Sequence, residues 1–485
     1  MNLSEIMPIL PLIIPAAAAI LLMLLIAFFR NHLLTASVTL ISLVFALVMV
    51  FVSYEKQPRH ISNLFVMDGY AHFFITLIYA AALIVCAMSY GYLKNKQIVR
   101  EEYYLFLLTT ALGCGVLVSS SHFASLFIGI ELLSLSLYVL ITYTGTMTGI
   151  EAGIKYFVMT AVSISFLLFG ISLIYAACGT MSFSSVQAET IASTTTNNLL
   201  YLAGISMFLI GIGFKLALVP FHYWIADIYE GAPAPVAGFV GTASKGAVFA
   251  VLMRYFSAIN IPGQKSLYVI FTAIAIASMF FGNITALLQT KIKRILGYSS
   301  IAHFGYLLVT LIAGNTIAIT AASFYLTSYF ITILAIFGII TFLSKGENDF
   351  DTLDNYKGLA FNHPFYAASL TIAMFSLAGI PLTAGFIAKL YIILAGANIK
   401  LWALLIILII NSLIGLFYYL RIVISFFDKS HLEKASENIS IDLSPSFSLP
   451  GAFSVGLLLF FLIYLGVAPG HLLHVIENLI KISGV

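Results

Sequence analysis

Long apolar runs recur along the whole chain of 485 residues and constrain its fold more than any other feature. About fourteen of them reach the ~20 residues that an α-helix needs to cross a bilayer. Only 8% of the residues are charged, against about 25% in soluble globular proteins. This composition excludes a soluble enzyme, a nucleic-acid-binding protein and a disordered scaffold. Because the runs are unbroken, they also exclude an outer-membrane barrel, whose strands alternate over ~10 residues. The sequence predicts an all-α polytopic membrane protein with about 14 transmembrane helices.

The basic residues between the runs predict the orientation in the membrane. If the N-terminus lies outside, 12 of the 22 lysines and arginines fall in inward loops and 5 in outward ones. The positive-inside rule favours that arrangement, with both termini on the outer side. The first run follows neither a basic segment nor a cleavage site, so we expect it to be a retained anchor rather than a signal peptide.

No cofactor or metal site is predicted in this chain. Cys86, Cys114 and Cys178 lie far apart, in or at the ends of predicted spans, and no C-x-x-C spacing occurs. That argues against an iron–sulfur cluster or a zinc site. Neither a P-loop lysine motif nor a dinucleotide fingerprint is present.

Several charged residues fall inside the predicted spans, where hydrophobic packing does not need them. They are Lys215, Lys245, Arg254, Lys389, Arg421 and Glu131. The two arginines are close enough to span ends for their stems to reach the interface. The three lysines and the glutamate are deeper, and each charge at mid-bilayer costs at least ~2.5–3.5 kcal/mol. A static set of ion pairs and neutral lysines is one explanation. We favour the other, in which these groups take up and release protons.

Two of these lysines lie close to predicted helix breaks. Pro220 follows Lys215 within a glycine-containing segment, and Gly379, Pro381 and Gly385 precede Lys389. Proline removes a backbone hydrogen bond from a helix, and irregular backbone at membrane depth is tolerated where it lines a polar cavity or is buried in protein. A pair of interrupted helices in corresponding positions indicates a transport site.

The spacing of these residues predicts an internal repeat. Lys215 and Lys389 are 174 positions apart, and Glu131 and His303 are 172 apart. Spans four to eight would then repeat as spans nine to thirteen, and since five is odd the two units are inverted. The predicted domains are residues 1–102 (spans 1–3), 103–258 (first repeat), 259–427 (second repeat) and 428–485 (a loop and span 14).

Other polar residues extend the predicted site. His303 lies mid-span with Ser299, Ser300 and Tyr306, which could line a hydrated path for proton transfer; ordinary packing is the alternative. His222, Asp227 and Glu230 follow the first break. They give either proton access or a structural turn, the latter favoured by Pro233 and Pro235. Lys291, Lys293 and Arg294 are predicted to be inward anchors.

Six segments together resemble a known family, the antiporter-like membrane subunits of respiratory complex I, and among them subunit N of the bacterial NADH–quinone oxidoreductase. They are LFIGIEL (126–132), GFKLALVPFH (213–222), GAPAP (231–235), TASK (242–245), KRILGYSS (293–300) and SLAGIP (376–381) with KLY (389–391). Lysine at position 389 favours subunit N over subunit M, where a glutamate is expected. The absence of a long lateral helix after the last span argues against subunit L.

The resemblance implies fourteen helices, two inverted five-helix repeats and discontinuous helices 7 and 12. It implies proton transfer through Glu131, Lys215, Lys245 and Lys389, driven by redox energy released elsewhere in the complex. We expect Glu131 to pair with Lys215. NADH, FMN, iron–sulfur clusters and quinone would lie in partner subunits. The expected partners are subunit M, small subunits of the K, J and A types, and lipids of the bacterial inner membrane.

Three other readings remain open at this stage. They are a stand-alone Mrp-type cation/proton antiporter, a passive scaffold, and the membrane subunit of a hydrogenase or formate-oxidising relative. Glu131 as the one deep acid counts against the antiporter, which needs a cation site. The cost of the buried lysines counts against the scaffold.

Overall fold

The structure is a computed structural model that describes residues 7–54, 58–94, 96, 100–191, 199–344, 349–428 and 449–483. Its helices, numbered in chain order, are α1 (Leu10–Phe28), α2 (His32–Val52), α3 (Gly69–Lys94), α4 (Glu101–Val118), α5 (Phe123–Thr142), α6 (Met147–Cys178), α7 (Phe183–Ile191), α8 (Leu199–Leu216), α9 (Ile225–Gly231), α10 (Ala234–Phe239), α11 (Lys245–Phe256), α12 (Lys265–Leu287), α13 (Ile292–Ala313), α14 (Thr316–Leu343), α15 (Leu359–Asn362), α16 (Pro364–Ala378), α17 (Ala384–Asn398), α18 (Trp402–Phe426), α19 (Leu449–Val467) and α20 (Gly470–Ser483). A π-helical turn, Val240–Ser244, joins α10 to α11. Strands β1 (Arg59–Ile61) and β2 (Phe65–Met67) form an antiparallel hairpin.

The described residues contain helices enough for the fourteen membrane crossings that the sequence predicts. Thirteen helices are long and apolar enough to cross a bilayer, counting Ala234–Phe256 as one. The two shorter apolar helices α16 and α17 share the remaining crossing. The helical fold class is thus confirmed.

The interior of the molecule is formed by the eighth, tenth and eleventh crossings. Ala234–Phe256 and Thr316–Leu343 are enclosed along their whole apolar windows, and Ile292–Ala313 nearly so. By contrast, α1, α2 and α6 expose large apolar side chains such as Leu24, Phe51 and Phe169, as lipid-facing helices do. Lys245 and His303 therefore lie on the most enclosed helices of the chain.

Close contacts between glycines and neighbouring helices fix the register of the internal repeat. A Cβ at Gly113 in α4 would lie 2.7 Å from the backbone N of Leu133 in α5. A Cβ at Gly282 in α12 would lie 2.6 Å from the backbone N of Ala302 in α13. Both members of the second pair follow those of the first by 169 positions, and α5 and α13 begin 169 positions apart as well.

This register corrects the spacing used to predict the repeat. At an offset of 169, the counterpart of Glu131 is Ser300, and the counterpart of His303 is Ser134. The value of 172 compared two residues that are not equivalent. The value of 174 for the lysines is too large for a related reason: Lys215 precedes its helix break and Lys389 follows its own. The inverted repeat remains, but its equivalent positions are different.

Candidate functional site

The first helix break places Lys215 against two hydroxyl groups. Helix α8 ends at Leu216, one residue after Lys215, and the chain resumes as α9 at Ile225. The Lys215 Nζ atom donates to Ser134 Oγ at 2.6 Å and to Thr160 Oγ1 at 3.2 Å. Lys215 itself is buried, so these hydroxyls replace the water that an ammonium group would otherwise bind.

Pro220 lies inside this break, as predicted, and side chains satisfy the backbone groups that the break frees. Ser278 Oγ accepts from the backbone N–H of Val219 at 3.0 Å. The indole N–H of Trp224 donates to the carbonyl of Phe214 at 2.9 Å. The break is therefore a defined structure in which the end of α8 is held open beside Lys215.

Glu131 does not pair directly with Lys215, contrary to our expectation. Within the described residues no cation lies within 4 Å of its carboxylate. Ser134, one turn further along α5, occupies the position next to the ammonium group instead. Glu131 lines a cleft between α5 and α6 that also includes Tyr138 and Thr160. Any effect of Glu131 on Lys215 is thus electrostatic and passes across Ser134.

Lys245 occupies the centre of the molecule and follows the π-helical turn directly. Its side chain is fully buried. Its Nζ atom donates to Ser300 Oγ at 2.9 Å and lies 4.7 Å from the centre of the Phe304 ring. Lys245 and α13 are therefore brought together as the sequence suggested.

His303 lies one turn beyond Ser300 on α13, and both of its ring nitrogens have tyrosine partners. Nδ1 is 2.6 Å from the hydroxyl of Tyr325 on α14, and Nε2 is 3.0 Å from that of Tyr419 on α18. The expected partners were Ser299, Ser300 and Tyr306. Of these, Ser300 binds Lys245 instead, and Tyr306 meets only the edge of the imidazole ring. Tyr325 and Tyr419 could not be found from the sequence because they belong to distant spans.

The second break is closed by Lys389. Helix α16 ends at Ala378 and α17 begins at Ala384. The Lys389 side chain reaches back from α17, and its Nζ atom donates to the carbonyls of Leu377 (3.0 Å) and Ala378 (2.8 Å) and to Ser412 Oγ (2.8 Å). The last carbonyls of a helix lack partners and carry partial negative charge. An ammonium group at this position therefore caps the first half-helix.

The predicted breaking residues all lie in this segment. Gly379 has a φ of +81°, which ends α16 in a left-handed turn that favours glycine. Pro381 stands between the two half-helices. Gly385 lies in the first turn of α17, where a Cβ would come 1.8 Å from the carbonyl oxygen of Ser376.

A small cavity connects His303 to Lys389. Tyr325, Ser328 and Ser376 contribute to its polar lining. Its volume of about 10 Å³ admits about one water molecule. The structure therefore brings Lys245, Ser300, His303 and Lys389 into one polar row. Among the described residues, no continuous chain of direct hydrogen bonds joins Lys215 to Lys245 or Ser300 to His303.

His222, Asp227 and Glu230 do not form a group of their own after the first break. His222 is buried and stacks on Tyr223 with 4.5 Å between ring centres. Asp227 accepts from Lys155 and from Arg294, each at 2.7 Å. Glu230 accepts from Arg294 at 2.7 Å and from Lys291.

These ion pairs tie α6, α9 and the start of α13 together. For Asp227 and Glu230, burial favours the protonated form, but the hydrogen bonds and charges of their cation partners outweigh it and lower both pKa values. The geometry therefore favours the structural role for Asp227 and Glu230.

Lys155 also differs from its predicted place. It is one of the 12 basic residues counted in the inward loops, but it lies within α6, which begins at Met147, and pairs with Asp227 and Glu151. Of the other residues counted for the orientation, Lys56, Lys345, Lys429 and Lys434 lie outside the described residues.

A charged vestibule opens beside the ion pair between Glu230 and Lys291. Its volume is about 400 Å³, and its charged lining residues are Lys96, Glu230, Lys291, Lys293, Asp349 and Asp351. Lys293 donates to Asp349 at 2.9 Å and to the carbonyl of Ala232 at 2.8 Å. Burial favours protonation of Asp349, but Lys293 and Lys96 lower its pKa overall. Burial raises the pKa of Asp351. Neither aspartate was predicted as a site residue, although both stand in one of the few polar stretches between spans.

Arg254 corrects another expectation. Its guanidinium group is not free at a span end but forms a bidentate ion pair with Asp68, with Nη1 and Nη2 at 2.7 Å and 2.9 Å from the carboxylate oxygens. Both side chains are buried. The link between Asp68 and Arg254 crosses 186 positions of sequence. Arg421 does lie at an exposed end, where it donates to the carbonyls of Leu287 and Gln289.

Within the described part of the chain, no three histidine, cysteine, aspartate or glutamate side chains converge to hold a metal ion. The three cysteines are buried and unbridged.

Comparison with known proteins gives the context for this geometry. Residues 120–415 match the family described as NADH:quinone oxidoreductase/Mrp antiporter, transmembrane. The chain is 44% identical over 483 residues to NADH-quinone oxidoreductase subunit N of Ectopseudomonas mendocina (strain ymp), which covers 98% of this chain and 96% of that protein.

Solved structures share the fold. A chain of respiratory complex I from Thermus thermophilus is 29% identical and superposes with a TM-score of 0.81, covering 96% of this chain and 99% of that one. A chain of the archaeal membrane-bound sulfane sulfur reductase gives 0.83 at 23% identity, over 99% and 98%. One from the Mrp complex of Dietzia sp. DQ12-45-1b gives 0.85 at 20% identity, over 99% and 97%. The last two show the fold alone, whereas the identity to subunit N extends over nearly the whole length of both proteins. The chain therefore belongs to the NADH-quinone oxidoreductase subunit N family, within the wider family of antiporter-like membrane proteins.

Proposed function

We propose that this chain is a proton-translocating membrane-arm subunit of an NADH:quinone oxidoreductase and moves protons along its buried polar row. The observation that carries the proposal is the set of three buried lysines, each held by a serine hydroxyl: Lys215 by Ser134, Lys245 by Ser300 and Lys389 by Ser412. Membership of the subunit N family connects this chemistry to a redox-driven complex.

A lysine–serine pair suits reversible protonation. A hydroxyl accepts a hydrogen bond from an ammonium group and donates one to a neutral amine, so either state of the lysine is satisfied. A carboxylate partner would favour the ammonium state alone. The serine partners therefore leave each lysine free to change its charge, which a static ion pair does not.

Movement of charge along the row would couple the lysines. Two like charges ~12 Å apart at an effective dielectric constant of ~20 interact by ~1.4 kcal/mol, which is about one pKa unit. A proton arriving at Lys215, under the influence of Glu131, would thus favour release from Lys245 through Ser300 and His303. Lys389, beyond the water-sized cavity, would pass the proton toward the outer side.

The alternatives are less well supported. An Mrp-type antiporter shares the fold, but the identity of 44% is to subunit N. A passive scaffold does not account for three buried lysines that lack carboxylate partners among the described residues.

The partners and cofactors belong to the same proposal. We expect the chain to sit beside the antiporter-like subunit M and the small K, J and A subunits in a bacterial inner membrane, with both termini outside. NADH, FMN, iron–sulfur clusters and quinone would be bound by other subunits, and this chain would bind lipids and protons only. The solved relatives are themselves parts of membrane complexes.

The test is Lys215→Met in the assembled complex, in inverted membrane vesicles that oxidise NADH. We expect proton pumping, followed by quenching of a pH-sensitive dye, to fall strongly relative to electron transfer. Lys265→Met is a matched control, because Lys265 is an exposed lysine at the start of α12. An unchanged ratio of protons to electrons in the Lys215 variant would show that the proposed role is wrong.

A further inference from the structure

The Tyr229 hydroxyl is buried yet has no hydrogen-bond partner within the described residues. A buried unpaired polar group costs about 1–3 kcal/mol. Phenylalanine would fill the same space without that cost, so packing alone does not account for the hydroxyl. The hydroxyls of Ser300 and Tyr329 lie close enough to interact with it, but neither forms a hydrogen bond of ordinary length and angle with it. The Tyr329 hydroxyl is unpaired as well.

The chain makes room for this hydroxyl at the turn before Lys245. A Cβ added to Gly241 would lie 2.3 Å from the Tyr229 oxygen, so only glycine leaves the space. Gly241 belongs to the π-helical turn Val240–Ser244, and such turns often occur at functional sites. The π-helical turn and the absence of a side chain at Gly241 together leave the space that the Tyr229 hydroxyl occupies.

Tyr229 also lies between two parts of the molecule that the proposed function leaves unconnected. Lys293, Gly297 and Ser300 follow one another along one face of α13, over about 10 Å of helix rise. Lys293 lines the charged vestibule, and Ser300 holds Lys245. The Tyr229 ring lies over Gly297, since a Cβ there would be 3.4 Å from its Cγ atom.

We infer that the Tyr229 hydroxyl carries protons between the charged vestibule and the Lys245–Ser300 pair. The inference rests on the proposed function and adds the uptake branch to it. Tyr229 is adjacent in sequence to Glu230, whose side chain lines the vestibule. The tyrosine backbone therefore adjoins the vestibule wall, and its hydroxyl ends against Gly241, in the turn before Lys245.

The hydrogen bonds at Ser300 leave a place for this transfer. Ser300 Oγ donates to the carbonyl of Gly297 at 2.7 Å and accepts from Lys245 at 2.9 Å. A hydroxyl has two acceptor lone pairs, so the second remains for Tyr229. When Lys245 is neutral, the Ser300 O–H bond breaks as a new N–H bond forms at Nζ. Ser300 regains a proton from Tyr229, and Tyr229 regains one from a water molecule that enters from the vestibule and reaches its hydroxyl. One proton moves from the vestibule to Lys245, and no electrons are transferred.

The experiment is Tyr229→Phe in the assembled complex, compared with Lys245→Met and with the control Tyr79→Phe. Tyr79 is fully buried too, but its hydroxyl donates to the carbonyl of Pro11, away from the row. A positioned proton-transfer group contributes about 10²–10⁴-fold. Because water can replace a hydroxyl in part, we expect Tyr229→Phe to slow NADH-driven pumping by about ten-fold. Tyr79→Phe should pump at the wild-type rate.

A merely structural role is excluded by a second readout. If the hydroxyl carries the proton, Tyr229→Phe raises the deuterium solvent isotope effect on pumping, whereas a packing defect leaves it unchanged. Should Tyr229→Phe fail to assemble, 3,5-difluorotyrosine at position 229 keeps the shape and acidifies the phenol. An unchanged isotope effect there would overturn the inference. If Tyr229→Phe pumps at the wild-type rate while Lys245→Met is impaired, the inference is wrong but the proposed function stands. Wild-type pumping by both would overturn the proposed function.

Discussion

At the scale of single residues, the lysine–serine pairs are the feature that sequence reasoning did not reach. The lysines stand out because their charge is costly inside a span. Serine does not stand out in a membrane helix, and Ser134 is 81 positions from Lys215. The deep charges could therefore be found from the sequence, while their partners required the fold.

Replacing one of these serines tests whether the hydroxyl matters to the lysine. We expect Ser134→Ala to lower proton pumping by less than Lys215→Met does, because Thr160 Oγ1 remains as an acceptor at 3.2 Å. The Ser134→Ala, Thr160→Val double variant should approach the lysine variant. Dye quenching in inverted vesicles measures all three. Equal pumping by the double variant and the wild type would contradict the pairing.

The buried Arg254–Asp68 pair leads to a stability prediction. Removing one member of a buried pair costs about 3–5 kcal/mol because it leaves a lone buried charge, whereas replacing both with apolar residues is often neutral. We expect Asp68→Leu to lower the thermal midpoint of the purified complex. Asp68→Leu with Arg254→Met should restore most of it. A double variant as unstable as the single one would show that the pair itself is required.

At the scale of the helix, proline and glycine were sufficient to predict both breaks. These residue types did not show on which side of each break the lysine lies. Lys215 lies at the end of the half-helix before the first break, whereas Lys389 lies in the half-helix after the second. That difference is invisible in a list of residue types. It explains why the lysine spacing of 174 is larger than the repeat offset of 169.

The second break should be intolerant of added volume. A Cβ at Gly385 would lie 1.8 Å from the Ser376 carbonyl oxygen, so Gly385→Ala must push α16 and α17 apart. Overpacking of this kind costs about 1–3 kcal/mol. We expect a lower thermal midpoint and weaker pumping. Gly456→Ala in α19 is the control, because no atom lies within 4 Å of its added Cβ. Equal midpoints for the two variants would contradict the prediction.

At the scale of the whole molecule, the ionisable residues outside the polar row gather mainly at one end. There Lys155, Asp227, Glu230 and Arg294 join α6, α9 and α13. The positive-inside count grouped Lys155 and Arg294 among its inward basic residues. It could not anticipate that acids from other loops neutralise them.

This cluster makes stability depend on pH. The pKa values of Asp227 and Glu230 are lowered from 3.8 and 4.5, so their contribution is complete above those values and is lost as pH falls through the lower folded-state values. We expect Asp227→Asn to reduce the thermal midpoint at pH 7 and to make progressively less difference below about pH 4. Thermal scans of the detergent-solubilised complex measure this. A difference that stays constant with pH would contradict the assignment.

The backbone contacts at Gly113 and Gly282 have a mechanical consequence. Where two helices touch main chain to main chain, no layer of side chains is left to shear, and α4 with α5, like α12 with α13, forms a stiff plate. Plates of this kind transmit little strain through small displacements. Coupling between adjoining subunits of a long membrane arm would then depend on electric fields and rearranged water. Further subunits could be added to such an arm without changing how the existing helices move.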